Sequence, residues 1–173
     1  MCGFAGFLGV GKCNENTLHR MAATLHHRGP DDHGVWYCQS SGMGFAHSRL
    51  SILDLSHAGY QPMVSSSGRY VIAFNGEIYN HLALRVELEQ GGHVPNWRGH
   101  SDTETLLMGF DVWGIEGTVQ KSVGMFAFGV WDKDARTLTL GRDRLGEKPL
   151  YYGWQDGIFL FGSELKALKA HPA

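Results

Sequence analysis

The sequence lacks the features that mark several large classes of protein. Its three cysteines, Cys2, Cys13 and Cys38, are an odd number and include no C-x-x-C pair. This pattern indicates a reduced, cytoplasmic protein rather than a disulfide scaffold. The ten histidines show no H-x-x-x-H spacing. We therefore expect surface or loop histidines and no metal site.

The sequence also has no large excess of either charge and no long apolar run. The formal net charge of −2 gives no reason to expect nucleic acid or an anionic membrane as a partner. The apolar run at 4–10 is too short and too glycine-rich for a signal peptide or a membrane span. Hydrophobic residues still make up 43% of the chain, enough for one packed domain, which we expect to cover residues 1–173.

The secondary-structure signals come in blocks. Strands are predicted at 1–10, 34–38, 43–50 and 70–74, and hairpins at 125–141 and 150–161. Blocks of strands and helices, rather than strict alternation, predict antiparallel sheets covered by helices instead of a doubly wound parallel sheet.

Four helices are predicted between and after these strands. Asn14 caps the first, whose apolar residues recur at i, i+3, i+4 and i+7 before Gly29-Pro30 ends it. The second covers 81–90 with Asn80 as its cap, although its alternating apolar residues are also typical of a strand. A capping box at 101–104 begins the third. Ser163 begins a short terminal helix.

Cys2 is the candidate nucleophile. Its small side chain favours removal of Met1, which leaves a thiol and a free α-amine on one residue. An α-amine has a reference pKa of ~7.7–8.0 and a thiol one of ~8.5. The amine is therefore suited to act as general base for its own side chain at neutral pH. Taken alone, a Met-Cys start more often has no catalytic meaning, so the hypothesis needs support from other parts of the chain.

The first support is the pair Asn75-Gly76, which follows a predicted strand. Together these residues offer a side-chain amide and a backbone N–H, the two donors that an oxyanion hole needs. An Asn-Gly turn is the commoner meaning of this dipeptide. The next strand signal lies far downstream, however, so a hairpin is disfavoured here.

The second support is a set of charged residues that could hold a free amino acid. Arg49 lies at the end of a predicted strand, where its guanidinium can bind a carboxylate in bidentate fashion. Asp102 lies in the first turn of the capping-box helix, and Glu77 follows the candidate oxyanion donors. Each could equally be part of a surface ion pair or a helix start.

Taken together, these stretches resemble the glutaminase domain of the asparagine synthetase family, a class II amidotransferase with an N-terminal nucleophile. H-R-G-P-D and N-G-E-I-Y-N resemble this branch more than its sister families. The matching stretches occur in the family's order and span nearly the whole chain: 1–6, 27–31, 46–52, 61–63, 74–80, 101–104 and 142–152.

The resemblance implies a catalytic role for three residues. Cys2 would attack the side-chain amide of L-glutamine, with its own α-amine as base, to give a γ-glutamyl thioester and ammonia. Water would then release glutamate. The side chain of Asn75 and the N–H of Gly76 would hold the tetrahedral oxyanion.

The resemblance also implies how the substrate is bound. Arg49 would bind the carboxylate of glutamine, and Asp102, with Glu77 nearby, would bind its ammonium. A backbone segment would line the pocket, made of Leu50, Ser51, Ile52 and Leu53.

The implied fold is an α+β four-layer α/β/β/α sandwich of N-terminal-nucleophile hydrolase type, with two antiparallel sheets between helical layers. Family members continue into a synthetase domain that uses ATP and Mg, whose Ser-Gly-Gly loop this sequence lacks. We therefore expect a truncated domain without its own cofactor, with L-glutamine and a C-terminal synthetase domain as partners. An exposed apolar patch should face that domain. The ammonia acceptor and the oligomeric state, a homodimer among the options, are left open.

Other functions stay open at this point. With Met1 retained, the chain would be a catalytically silent glutamine-binding or interaction domain. A third alternative is an N-terminal-nucleophile hydrolase that acts on another amide, which Arg49 with Asp102 disfavours because that clamp selects a free amino acid. A zinc or redox protein has no ligand spacing to support it.

Overall fold

The computed structural model describes residues 2–9, 13–50, 57–93 and 96–173. The described residues form nine strands: β1 (Gly3–Leu8), β2 (Asp32–Cys38), β3 (Met43–Arg49), β4 (Met63–Val64), β5 (Tyr70–Ile78), β6 (Gly124–Asp132), β7 (Thr137–Arg142), β8 (Tyr151–Gln155) and β9 (Ile158–Gly162). They also form four α-helices: α1 (Glu15–Ala23), α2 (His81–Gln90), α3 (Asp102–Lys121) and α4 (Leu165–Lys169).

The strands form two antiparallel sheets. The five-stranded sheet has the order β2-β3-β1-β9-β8, and the four-stranded sheet has the order β4-β5-β6-β7. The N-terminal strand β1 lies at the centre of the first sheet, where Phe4 pairs with His47 of β3 and Ala5 pairs with Gly162 of β9. The first and last strands of the chain are therefore direct neighbours.

The two sheets lie between two layers of helices, and a cluster of buried side chains fills each of the three interfaces. Between the sheets, Phe4 and Phe45 each pack against Phe161, with ring centroids 6.4 and 5.6 Å apart. Each such fully buried aromatic side chain contributes about 1.5–3 kcal/mol to folding. Helices α1 and α4 cover the outer face of the five-stranded sheet, and α2 and α3 cover the four-stranded one. The predicted α/β/β/α sandwich with two antiparallel sheets is confirmed.

Local sequence signals account for some helix ends, although α1 ends at Ala23 and not at the predicted Gly29-Pro30. The side chain of Asn14 accepts a hydrogen bond from the Thr17 N–H at 2.9 Å and so caps α1, as predicted. Asn80 occupies the N-cap position of α2, as predicted, but its side chain does not cap the helix, because its amide donates to the Lys121 carbonyl and accepts from the Val123 N–H. The helix at 81–90 and the two hairpins are confirmed.

Strand β5 is longer than expected. The sequence predicted its end at Phe74, before the Asn-Gly pair, whereas the strand continues to Ile78. The extension pairs residue by residue with β6, so that Asn75 lies opposite Ala127 and Gly76 opposite Phe126. A Cβ at position 76 would come within 2.4 Å of the Met125 carbonyl oxygen. The glycine therefore permits close strand pairing here rather than a turn.

Candidate active site

The predicted site residues meet at one cavity between the ends of the two sheets. It has a volume of about 130 Å³, roughly ten times the smallest space that holds one water molecule. Segments from both sheets and from the start of α3 line it: Cys2, Arg49, Leu50, Gly59, Gln61, Phe74, Asn75, Gly76, Glu77, Ser101, Asp102, Thr103, Met125 and Lys148. The predicted residues Ser51, Ile52 and Leu53 lie outside the described residues.

Cys2 lies directly before β1 and reaches the cavity wall with its sulfur. The N–H of Leu50 donates to the Cys2 sulfur at 3.4 Å, and the thiol lies 3.5 Å from the Leu50 carbonyl oxygen. The carbonyl of Cys2 in turn accepts a hydrogen bond from the Arg28 Nε at 3.0 Å. The sulfur that would act as nucleophile is thus in contact with both backbone polar groups of Leu50.

The edge of β5 that faces the cavity is organised by two side chains. The N–H of Phe74 donates to the Gln61 Oε1 at 2.7 Å, and the N–H of Ile78 donates to the Asp102 Oδ2 at 2.8 Å. N–H groups alternate direction along a strand with a period of two. The N–H of Gly76 therefore points to the same edge, between these two bonds and away from β6.

Asn75 brings a second hydrogen-bond donor to the cavity, beside the N–H of Gly76. Its side-chain Nδ2 is buried and has no hydrogen-bond partner among the described residues. An unsatisfied buried donor costs about 1–3 kcal/mol. Such a cost is typical of a group that is reserved for a ligand, and here the group lines the same cavity as the Cys2 thiol.

The two ends of the predicted amino-acid clamp also line the cavity. Arg49 ends β3 and is 8% exposed, and its carbonyl accepts the Asp31 N–H at 3.0 Å. Asp102 begins α3, where its two oxygens accept the N–H groups of Ile78 and Thr103. Burial raises the pKa of the Asp102 carboxyl, while these two N–H groups and the nearby His81 act to lower it. Glu77 follows Gly76 and also faces the cavity.

One buried histidine braces the sheets against each other beside this site. His47 is fully buried in β3, and its Nε2 donates to the Phe74 carbonyl of β5 at 2.9 Å. Burial lowers the pKa of His47 to about 4, so the ring is neutral at physiological pH. The expectation of surface or loop histidines is wrong for His47, because a bond between sheets leaves no local trace in the sequence.

Sequence reasoning also missed Gln61 and Lys148. Gln61 bridges β5 to α3, since its Nε2 donates to the Thr103 Oγ1 at 3.3 Å. Lys148 comes to the cavity through a loop in which the carboxylate of Asp143 accepts N–H groups of Leu145, Glu147 and Lys148 itself. Both residues lie in the stretches 61–63 and 142–152 that carried the resemblance, which is the only signal that could have found them.

A comparison with known families and proteins decides the class of this chain. The family described as the glutamine amidotransferase domain matches residues 1–173. The chain belongs to this family. The amidotransferase domain is 42% identical over 99% of its length to asparagine synthetase [glutamine-hydrolyzing] 3 of Bacillus subtilis, and covers 28% of that protein. It is 36% identical over 98% of its length to the putative asparagine synthetase [glutamine-hydrolyzing] 2 of Methanocaldococcus jannaschii, of which it covers 35%.

Solved structures support the same fold. The amidotransferase domain is similar to glutamine phosphoribosylpyrophosphate amidotransferase from B. subtilis, with a TM-score of 0.78 and 20% identity over 98% of this chain and 43% of that one. The allosteric regulatory enzyme of purine biosynthesis gives a TM-score of 0.79 with 21% identity, again over 98% and 43%. The predicted four-layer sandwich is therefore a fold that these two solved structures share. Within the described residues, no helix has the length and apolar character needed to cross a bilayer.

Proposed function

We propose that this domain hydrolyses L-glutamine to L-glutamate and ammonia, with Cys2 as the nucleophile once Met1 is removed. The observation that carries the proposal is the meeting of three features at one cavity. These are a cysteine sulfur, the buried and unpartnered Asn75 amide, and a clamp of opposite charges formed by Arg49 and Asp102. A free amino acid with a side-chain amide matches all three.

Binding begins at the two ends of the amino acid. Arg49 pairs with the α-carboxylate, and Asp102, assisted by Glu77, pairs with the α-ammonium. An ammonium beside Asp102 compensates the buried carboxylate, whose pKa burial raises in the ligand-free domain. With both ends fixed, the side-chain amide points toward Cys2.

The first chemical step forms a thioester. The Cys2 sulfur attacks the amide carbon, and the thiol proton passes to the α-amine of the same residue. The Asn75 Nδ2 and the Gly76 N–H donate to the oxyanion of the tetrahedral intermediate. The C–N bond then breaks, the α-ammonium returns its proton to the leaving nitrogen, and ammonia departs.

The second step regenerates the thiol. Water attacks the thioester carbon while the α-amine takes one of its protons, and the same two donors hold the new oxyanion. The C–S bond breaks, the sulfur recovers the proton, and glutamate leaves. The reaction therefore needs one water and no cofactor.

The ammonia supplies a second domain in a longer protein. The chain spans 28% and 35% of the two asparagine synthetase relatives named above, which supports a further, synthetase domain in the longer protein. The family resemblance implies that this domain is C-terminal and uses ATP and Mg. Exposed aromatic residues on the edge strand β8, Tyr152 and Trp154, offer apolar surface for such a partner. Three unpaired cysteines support a cytoplasmic location. A homodimer stays a prediction.

Residues 1–173 act as one domain in this proposal. The arrangement of the five-stranded sheet supports it, because β1 pairs with β9 and so joins the two ends of the chain in one sheet. A substrate panel tests the function. We expect glutamate release from L-glutamine and much slower hydrolysis of N-acetyl-glutamine, which lacks the ammonium. A preference for the N-acylated amide would reject the clamp and the function with it.

A further inference from the structure

Arg28 holds the main chain of the candidate nucleophile. Its Nε donates to the Cys2 carbonyl at 3.0 Å, and its side chain is only 12% exposed. A Cβ at Gly3 would lie 2.9 Å from the Arg28 Cδ, so the arginine lies directly across the backbone of residues 2 and 3. A shift of Arg28 therefore moves the carbonyl of the residue that carries the thiol.

Glu164 holds Arg28 from the other side. Its Oε1 accepts a hydrogen bond from the Arg28 Nη1 at 3.0 Å and another from the His27 Nε2 at 2.9 Å, and Lys166 lies 3.1 Å from the Oε2. Although burial acts to raise it, these partners lower the pKa of Glu164 to about 2. The carboxylate is therefore charged at any pH at which the domain works.

The residue before Glu164 is tied to the same strand. The N–H of Ser163 donates to the Phe4 carbonyl at 2.8 Å, and the Phe4 N–H donates to the Ser163 Oγ at 3.0 Å. Residues 163–164, between β9 and α4, thus hold residues 2–4 at three points. Cys2 is thus linked, through Arg28 and Phe4, to a segment about 160 positions downstream.

We propose that Glu164 is a positioning residue for the Cys2 nucleophile and that it acts through Arg28. The inference rests on the proposed function, because it concerns the delivery of the thiol to the amide carbon. An exposed ion pair would contribute little. Here, however, the Glu164 side chain is 24% exposed and Arg28 is 12% exposed, and the same guanidinium reaches the nucleophile.

The effect should fall on turnover and not on substrate binding. Arg49, Glu77 and Asp102 belong to β3, β5 and α3, and the contacts of Glu164 are with Arg28, His27 and Lys166. Misplacement of a reacting group by a fraction of an ångström typically costs about tenfold or more in rate. We therefore expect Glu164→Gln to lower kcat about tenfold and to leave KM for glutamine within about twofold.

A double-mutant cycle shows whether Glu164 acts through Arg28. Arg28→Lys alone should lower kcat at least as much as Glu164→Gln, and the double variant should be no slower than Arg28→Lys. Lys166→Gln is the matched control, since Lys166 contacts Glu164 but not Arg28 or Cys2 in the hydrogen bonds described. Its kcat should equal that of the unaltered chain. Additive losses, or a change confined to KM, would overturn the inference.

A second measurement does not require glutamine turnover. The rate of alkylation of Cys2 by iodoacetamide is measured by peptide mass spectrometry relative to Cys38 in the same molecules. Displacement of Cys2 removes the Leu50 N–H from its sulfur, so the ratio should fall about threefold in Glu164→Gln and stay unchanged in Lys166→Gln. A ratio that stays constant or rises in Glu164→Gln would overturn the role of Glu164. If the unaltered chain releases no glutamate, the proposed function fails, whereas this ratio still decides the role of Glu164.

Discussion

The carboxylate of Asp102 accepts the backbone N–H of Ile78 at 2.8 Å, two residues beyond Gly76 on the same strand edge. One side chain therefore holds the strand that carries the proposed oxyanion donors and is also the proposed ligand of the substrate ammonium. The opposite end of that edge is held by Gln61, through the N–H of Phe74. The proposed amino-acid clamp and the proposed oxyanion hole therefore share one short piece of β5.

Asn75→Ala should chiefly lower kcat. Loss of one preorganised oxyanion donor typically reduces the rate about 10²–10³-fold, and KM should change little because the clamp residues are untouched. Steady-state glutaminase kinetics measure both. Asn80→Ala is the matched control, since Asn80 bonds to Lys121 and Val123 outside the cavity. It should retain wild-type turnover, and an equal loss in both variants would contradict the oxyanion role.

Gly76→Ala should destabilise the domain as well as slow it. The new Cβ would meet the Met125 carbonyl oxygen at 2.4 Å and the Phe126 Cα at 2.7 Å, which forces β5 away from β6. We expect a loss of about 1–3 kcal/mol in the free energy of unfolding, measured by urea denaturation. Gly153→Ala on β8 is the control, since nothing lies within 4 Å of its Cβ position. Comparable stability of the two variants would refute the steric argument.

Arg49→Ala should chiefly raise KM for glutamine, because it removes an interaction made equally in the ground state and the transition state. The loss should be smaller for glutamine amide, which has no α-carboxylate for the guanidinium to bind. Arg69→Ala is a suitable control, because Arg69 pairs with Asp132 and does not line the cavity. If Arg49→Ala lost the same factor on both substrates, Arg49 would not be the carboxylate ligand.

The pH dependence of KM should report on Asp102. Burial raises the pKa of its carboxyl above the usual value of an aspartate, so protonation removes the partner of the substrate ammonium earlier as the pH falls. KM for glutamine should rise on the acid side, and the rise should begin at a higher pH than an ordinary aspartate would give. Asp102→Asn should have a high KM at every pH, without the rise on the acid side. Asp132→Asn, outside the cavity, should keep the wild-type profile.

Local signals predicted much of this fold. The Asn14 cap, the helix at 81–90 and the two hairpins depend on neighbours in the sequence, and the structure confirms them. The end of β5 was predicted wrongly because the strand was expected to stop at Phe74, before the Asn75-Gly76 pair. Its pairing with β6, about fifty positions away in the chain, decides otherwise.

The site likewise contains residues that sequence motifs could identify and residues that only tertiary contacts place there. Cys2, Arg49 and Asp102 could be named from residue types and from the family resemblance, and the fold places all three at one cavity. Gln61 could not be assigned a place there, because its bond to Thr103 joins segments 42 positions apart in the chain. Lys148 could not either, because its position depends on the loop conformation that the Asp143 carboxylate holds. The roles of all these residues stay predictions until kinetics are measured.

The most direct test of the central claim is the reaction of this chain with an electrophilic glutamine analogue, such as a chloroketone, followed by mass spectrometry of the modified peptide. We expect a single adduct on Cys2, in a peptide that begins at Cys2 without Met1, and protection by added L-glutamine. An adduct confined to Cys13 or Cys38, or a chain that stays unmodified after Met1 has been removed, would contradict it.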